Sequence, residues 1–334
     1  MPLPRLHLRP VLLLLAAAIS APAAHAQMLK DPALQALYAA EKNDALQRLA
    51  QQRVAAQVDD AQAVLALALA ALARDDAPAR QAVLRRAEAC LDKQPKAAPC
   101  HYAFGVVLGV QALSEGMFKA ARSLGTIRDA LASAQALDAA WFPARAALLE
   151  FYLLAPGIMG GSTSKATELV KTAPQPEQAR ALQARILMSE EKFDIALQAL
   201  DALPGGLESS LADEVVNWSV QCGLGMVKAG QAAKAQPAME KLVREHSGRA
   251  GPVYALARLR GEQAAPEEAL KLYAQAATLK GASDWPIAYR QGIAQQQLGQ
   301  VEAAKASLTR FVSVGKGQKA SLDDARKRLQ QLGA

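Results

Sequence analysis

Four stretches in the C-terminal half of the chain repeat one order of small and large apolar residues. Each can be aligned on a small residue, and the intervals are 39, 34 and 35 positions between Ala184, Gly223, Ala257 and Gly292. An alanine follows 12 positions later and a large apolar residue 16 positions later, as in Ala304 and Leu308. Small residues let two helices approach closely, and large ones three or four positions apart fill the neighbouring groove. The pattern therefore predicts pairs of packed helices.

The register of this pattern also predicts turns and a boundary. The seventh position after each small residue is expected to lie between the two helices of a pair, and it is occupied by Glu191, Gly230, Ala264 and Gly299. Upstream the register is looser, with further candidate repeats around Ala68 and Gly105. The segment 172–176 (TAPQP) reads as a break. We therefore predict an N-terminal helical lobe at 27–173 and a C-terminal lobe at 174–334, closed by a largely polar helix after Ser321.

The period of about 34 residues resembles that of the tetratricopeptide repeat (TPR) family. The last stretch, AYRQGIAQQQLGQVEAAKASLTRF, has small residues at the three places where the family has them. The Trp and Tyr typical of the family's first helix are mostly replaced in this chain. The resemblance implies an all-α fold, a TPR-like α-solenoid of about seven antiparallel helix pairs that form a superhelix.

The resemblance also implies a binding surface, because the first helices of successive TPR repeats line a concave groove. We expect a scaffold that binds a protein or peptide there, within an envelope assembly. The Arg, Lys, Tyr and Gln side chains at groove positions suit an acidic or polar peptide, although they would also be ordinary on a solvated surface. The candidate contacts are Arg185, Met188, Lys228, Tyr254, Arg258, Tyr289 and Gln296.

The segment 155–162 (APGIMGGS) does not fit the repeat pattern. Its proline and glycines define a loop, whereas Ile158 and Met159 are too apolar for a simple solvated turn. Ile158, Met159 and Ser162 are therefore candidate ligand contacts, with a purely structural turn as the alternative. A small-molecule or transporter-accessory binding protein that uses the 151–165 loop and the groove is the second functional hypothesis.

The sequence contains no complete catalytic constellation, so we predict neither enzyme activity nor a cofactor. Ser162 and Lys165 match the S-x-x-K motif of penicillin-recognising enzymes, but a K-T-G strand is missing. Two histidines follow position 26 and no CxxC is present, so no metal site is expected. The carboxylate pairs at 59–60, 75–76 and 323–324 are better suited to capping helices than to acid–base chemistry.

Composition and charge narrow the class of protein. Hydrophobic residues make up 51% of the chain but aromatic residues only 4%. Alanine is the strongest helix former, and an alanine-rich core suits closely packed helices. The net charge is +7, yet lysines and arginines are dispersed without a dense basic run. A nucleic-acid partner is therefore not predicted.

Residues 1–26 have the features of a secretory signal peptide. Arg5 and Arg9 precede the apolar run VLLLLAAAI at 11–19, and AHA at 24–26 fits a cleavage site. We expect a mature, periplasmic or secreted chain that begins at Gln27, with no stable membrane insertion. The alternative is an uncleaved N-terminal anchor.

Three cysteines are compatible with an oxidising compartment. Cys90 and Cys100 lie ten positions apart around Pro95 and Pro99, across a predicted helix–turn–helix junction. They could form a disulfide that pins this turn, or they could be two buried thiols. Cys222 lies in a predicted helix and is expected to be a small core residue.

Overall fold

A computed structural model describes residues 27–74, 76–315 and 317–333, except for the side chains of 117–120. The predicted signal peptide and Asp75 lie outside the described residues. The described chain is all-α, as predicted, and contains seventeen α-helices and two short 3₁₀ turns, at Gly157–Met159 and Ala282–Asp284. The helices are α1 (Pro32–Ala39), α2 (Asn43–Ala56), α3 (Ala61–Arg74), α4 (Ala77–Lys93), α5 (Ala98–Ser114), α6 (Met117–Leu137), α7 (Phe142–Leu154), α8 (Thr163–Lys171), α9 (Pro176–Ser189), α10 (Phe193–Asp201), α11 (Ser209–Lys228), α12 (Ala232–Glu245), α13 (Ala250–Glu262), α14 (Pro266–Ala276), α15 (Ile287–Gln297), α16 (Val301–Val314) and α17 (Lys319–Gln331).

The first sixteen helices form eight successive antiparallel pairs within the described residues, one more than the seven or so expected. Each helix packs against its neighbours in the chain, and α3 and α11 also pack against α5 and α13, the first helices of the following pairs. This arrangement is a solenoid, in which every pair is covered by the next. The last helix, α17, packs on α16 and begins at Lys319, two residues before the predicted cap Ser321.

The contacts inside the pairs confirm the register that the sequence predicts. A Cβ atom added to Gly223 would lie 2.5 Å from Met239 Sδ, and one added to Gly292 would lie 2.6 Å from Leu308 Cγ. Both partners are the large apolar residues 16 positions further along the chain. The small residue therefore provides the space that the large residue fills, as close packing in protein interiors requires.

The turns of the four aligned pairs share one backbone conformation. Gly230 and Gly299 have φ angles of 71° and 70°, and Glu191 and Ala264 have φ angles of 58° and 56°. This left-handed region favours glycine because other residues clash there through their Cβ atom. The predicted turn position therefore has the same left-handed backbone in all four pairs, with glycine in two of them and another residue in the other two.

A disulfide links the second and third pairs. Cys90 at the end of α4 is bonded to Cys100 at the start of α5, with Cα atoms 6.2 Å apart. The structure thus joins the two cysteines for which the sequence left a disulfide and two buried thiols open. Cys222 is a buried free cysteine, as expected for a core residue.

The N-terminal segment crosses between distant parts of the solenoid. Trp141 Nε1 donates a hydrogen bond to the Gln27 carbonyl oxygen at 2.9 Å, and Lys30 forms an ion pair with Asp138. On the other side, Lys280 Nζ donates to the Ala39 carbonyl oxygen at 2.6 Å. The superhelix thus brings α1 beside the connection between α14 and α15.

The hydrophobic core runs through most of the solenoid. Its largest cluster extends from Leu29 to Leu259 and crosses the predicted lobe boundary at 173–174. Two smaller clusters lie in the last pairs, around Tyr254 and around Tyr289. Within the described range, no helix is both long and apolar enough to cross a membrane.

Candidate ligand-binding cavity

A cavity of about 1130 Å³ opens in the N-terminal part of the solenoid. Helices α3, α5, α6, α7 and α11 form its walls, and residues of α1 and of the α14–α15 connection form part of its rim. It is the place where first helices of several pairs face one another across open space.

The α5 wall is apolar and contains two glycines. Tyr102, Val106, Val110 and Leu113 recur at helical spacing and face the cavity. Gly109 lies between them, and an added Cβ atom there would meet only Ile127, at 4.0 Å. The absence of a side chain at Gly109 leaves room beside the helix, whereas the apolar neighbours give the wall its character.

The α7 wall carries an isolated acid between apolar residues. Phe142, Ala146, Glu150 and Leu154 follow one another every fourth position and line the cavity. A rise of 1.5 Å per residue makes this wall about 18 Å long. Phe142 is fully buried at one end, and Leu154 is 73% exposed at the other.

Three carboxylates of the cavity lining are paired with cations. The Glu150 oxygens accept from Arg185 Nε at 2.5 Å and Nη2 at 2.6 Å, and Asp213 accepts from Arg249 Nη1 at 2.8 Å. Glu41 lies 3.6 Å from Lys280 Nζ. Each ion pair joins two different helices or connections, so these pairs help to position the walls.

Glu214 on α11 is half-buried, and in the described part of the chain its carboxylate has no hydrogen bond or ion pair. The pKa of Glu214 is raised to about 7, first by burial and then by the charges of Glu150 and Asp213. Arg185 and Arg249 act in the opposite direction. Burial, with the nearby Asp213 and Glu214 charges, also raises the pKa of Tyr38 to about 12. These residues thus form one electrostatically coupled group.

Comparison with known proteins gives structural matches only. No family model matches the chain, and no curated protein matches it. Human IFIT1, solved as a dimer with PPP-AAAA, is similar with a TM-score of 0.53 and 13% identity, over 81% of this chain and 63% of IFIT1. The chain therefore spans less than two thirds of that protein.

Two further solved structures have lower scores. A tetratricopeptide repeat protein from Parabacteroides merdae ATCC 43184 has a TM-score of 0.46 and 12% identity, over 82% of this chain and 99% of that protein. Yeast Tom70 has a TM-score of 0.48 and 11% identity, over 83% of this chain and 65% of Tom70. The structural neighbours are TPR-repeat proteins, which supports a fold of this type. The chain has a TPR-type fold.

In this TPR-type solenoid, three of the predicted groove residues are buried, and a fourth, Gln296, is half-buried and bonded to the closing helix. Met188 and Tyr254 are 6% and 3% exposed, and Tyr254 stacks on Trp285 with ring centroids 4.9 Å apart. Tyr289 is also buried, and its hydroxyl donates to Asp324 at 2.7 Å. Gln296 Oε1 accepts from Arg328 Nη1 at 2.8 Å. Their expected exposure is corrected, because core packing and the closing helix α17 occupy the space that a ligand would need.

The predicted basic residues have three different environments. Arg185 is mostly buried behind the cavity wall in its pair with Glu150. Arg258 is also mostly buried, 3.7 Å from Glu262 on the same helix. Lys228 is exposed at the end of α11. Only Arg185 is therefore close to the cavity.

The 155–162 loop lies at the cavity and is a defined turn. Met159 lines the cavity, whereas Ile158 is 95% exposed beside it. A Cβ atom added to Gly161 would lie 1.8 Å from the Ala155 carbonyl oxygen, so only glycine fits there. The Ser162 hydroxyl accepts from the Lys165 backbone N–H at 3.2 Å and caps α8. The S-x-x-K match is thus a helix cap, and Ser162 does not line the cavity.

Sequence reasoning missed most of the cavity. It placed the groove on α9, α11, α13 and α15, where the repeat signal is strongest, and assigned nothing to Glu150, Asp213 or Glu214. A glycine pair four positions apart in α5 and a single acid in the apolar α7 are the signals that could have identified it. No cluster of potential metal ligands occurs in the described residues.

Proposed function

We propose that this protein is a non-enzymatic scaffold that binds an apolar segment of a protein partner in the cavity between α5, α7 and α11. The observation that carries the proposal is the cavity itself, with its volume of about 1130 Å³ and its largely apolar walls. TPR-type solenoids present extended concave surfaces on which such binding takes place.

The dimensions suit a short peptide segment. The α7 wall is about 18 Å long, and an extended chain rises about 3.3 Å per residue, so five or six residues fit along it. Tyr102, Phe142 and Trp218 lie along the buried side of the walls. Aromatic walls offer a large contact area to an apolar side chain.

The exposed lip of the cavity supports a macromolecular partner. Leu113 and Leu154 line the opening and are 70% and 73% exposed, and Ile158 projects beside them. Clustered apolar side chains at a surface mark sites of interaction. They would contact the parts of a partner that extend beyond the bound segment.

A small apolar molecule is the second candidate ligand. Small-molecule sites have volumes of about 300–1,000 Å³ and mostly apolar walls with a few polar groups. The cavity lies just above that range and has Met159 of the 155–162 loop in its wall. This observation favours the transporter-accessory or small-molecule hypothesis more than the sequence alone does.

Export belongs to the same proposal. The signal-like segment at 1–26 and the disulfide between Cys90 and Cys100 support a periplasmic or secreted location, because disulfides persist in oxidising compartments. N-terminal sequencing of the protein from its native host should return Gln27 as the first residue. A first residue within 1–10 would contradict cleavage.

Photo-crosslinking tests the proposed function in the native host. A photoreactive amino acid at Leu113, on the cavity lip, should form an adduct with a protein, and the same group at Val314 should not. Val314 is 60% exposed at the end of α16 and lies outside the cavity, so it is a matched control. Ala147→Trp, which fills the cavity from α7, should abolish the adduct.

The outcomes separate the two candidate functions. An adduct that persists in Ala147→Trp would refute binding in the cavity. A small molecule found by native mass spectrometry in the wild-type protein but not in Ala147→Trp, without any protein adduct, would establish the second candidate instead.

A further inference from the structure

One half-buried carboxylate of the cavity lining, Glu214, forms no ion pair with any described residue. Glu150, Asp213 and Glu41 are paired with Arg185, Arg249 and Lys280, as described above. Asp284 also lines the cavity, but it is exposed to solvent, where an unpaired acid is ordinary. Glu214 differs from all of these because it is half-buried and, among the described residues, unpaired.

The charge of the lining is opposite to the charge of the protein. Five carboxylates line the cavity, at Glu41, Glu150, Asp213, Glu214 and Asp284, against two cations, Arg249 and Lys280. The chain as a whole carries +7. An acidic cavity in a basic protein is therefore a local feature and not a result of composition.

We infer that the segment bound in the cavity carries a positive charge, a lysine or arginine among apolar residues, and that this charge pairs with Glu214. The inference rests on the proposed function and specifies the chemistry of the ligand. A half-buried carboxylate is costly unless it is paired, and an incoming cation supplies the missing partner.

Two tyrosines of the cavity lining interact with Glu214. They are Tyr38 of α1 and Tyr102 of α5, and both interactions are electrostatic. Aromatic faces attract cations, most strongly where water is excluded. The nearby arginines do not fill this role, because Arg185 and Arg249 are held by Glu150 and Asp213.

A matched pair of peptides tests the inference. Both probes are pentapeptides with blocked ends, in which four leucines flank a central lysine or a central acetyl-lysine. The two side chains have the same four-carbon stem, but acetylation turns the ammonium into a neutral, slightly longer amide. We expect the wild-type protein to bind the lysine peptide about tenfold more tightly by calorimetry, the effect of one charge-assisted contact.

The variant Glu214→Gln should lose this preference and bind both peptides with similar affinity. Asp284→Asn, which removes an exposed rim carboxylate, is the control and should retain it.

Equal binding of both peptides by the wild type would overturn the cation inference and leave the proposed function intact. An equal loss of preference in Asp284→Asn would also overturn the cation inference. The overall negative charge of the cavity, and not a contact with Glu214, would then explain the preference. Failure of both peptides to bind would refute the proposed peptide site and the inference with it.

The pH dependence gives a second readout. The groups that interact with Glu214 are Glu150 on α7, Asp213 on α11, Arg185 on α9, Arg249 before α13, Tyr38 on α1 and Tyr102 on α5. A bound cation favours ionised Glu214, so binding below pH 7 must release a proton. Affinity for the lysine peptide should rise about tenfold from pH 6 to pH 8, and affinity for the acetyl-lysine peptide should not change. A flat profile for the lysine peptide would contradict pairing with Glu214.

Discussion

The two ends of the solenoid use the same helix pairs in opposite ways. From α13 to α17 the space between helices is filled by stacked rings, Tyr254 on Trp285 and Tyr289 on Phe311, and by polar contacts from α17. From α3 to α11 the corresponding space remains open as the cavity. Regular repeats therefore specify how helices pack, whereas the cavity lies where the repeat pattern is weakest.

Two glycines show the difference at the level of single residues. Gly292 on α15 is covered by Leu308, whereas a Cβ atom added to Gly109 on α5 would have only Ile127 as a neighbour, at 4.0 Å. One glycine permits close packing, and the other leaves a cavity. The same residue type thus has opposite consequences, determined by what the opposite helix contributes.

Removal of the disulfide should have the largest effect on stability in the N-terminal region. Cys90→Ala with Cys100→Ala should lower the free energy of unfolding by about 2–3 kcal/mol, because the ten-residue loop is no longer constrained in the unfolded chain. Urea denaturation measures the effect. Cys222→Ala is the control, because Cys222 is a buried cysteine that forms no disulfide. The loss of unfolding free energy in the double variant must exceed the loss in Cys222→Ala.

The glycine comparison predicts opposite signs for one substitution. Gly292→Ala should destabilise the protein by about 1–3 kcal/mol through overpacking against Leu308. Gly109→Ala should be neutral or stabilising by up to about 1 kcal/mol, because alanine favours the helix and finds no clash. Denaturant unfolding of both variants checks the prediction. A similar loss at the two positions would show that the α5 wall is as tightly packed as the last pairs.

Glu214 should reduce stability at neutral pH. Its pKa is raised from 4.5 to about 7, so the native protein binds more protons than the unfolded chain in this range. The free energy of unfolding is therefore highest, as far as Glu214 is concerned, below pH 4.5, where its carboxyl is neutral in both states. It falls as pH rises from 4.5 through 7. Glu214→Gln should therefore gain about 1–2 kcal/mol over the wild type at pH 8 and much less at pH 5.

Urea titrations of the two proteins at both pH values measure this difference. An equal gain at pH 5 and pH 8 would indicate better packing of glutamine, not relief of a buried charge. Glu262→Gln on α13 provides an exposed carboxylate for comparison and should show little change at either pH.

The parts that could be predicted from sequence are those set by periodic packing. The 16-position relation between Gly292 and Leu308 and the left-handed turn at Gly299 both follow from the repeat register. The location of the cavity could not be predicted in this way. It depends on which helices lie opposite one another, such as α7 and α11, and on α17 covering Tyr289 and Gln296. These are long-range relations that no local pattern encodes.

The central claim is that the open N-terminal cavity binds the ligand and the filled C-terminal groove does not. Hydrogen–deuterium exchange of the wild-type protein, with and without the leucine–lysine pentapeptide, tests it most directly. We expect slower exchange in α5, α7 and α11 when the peptide is bound, and unchanged exchange in α13 and α15. Protection confined to α13 and α15, with none in α5 and α7, would contradict the account.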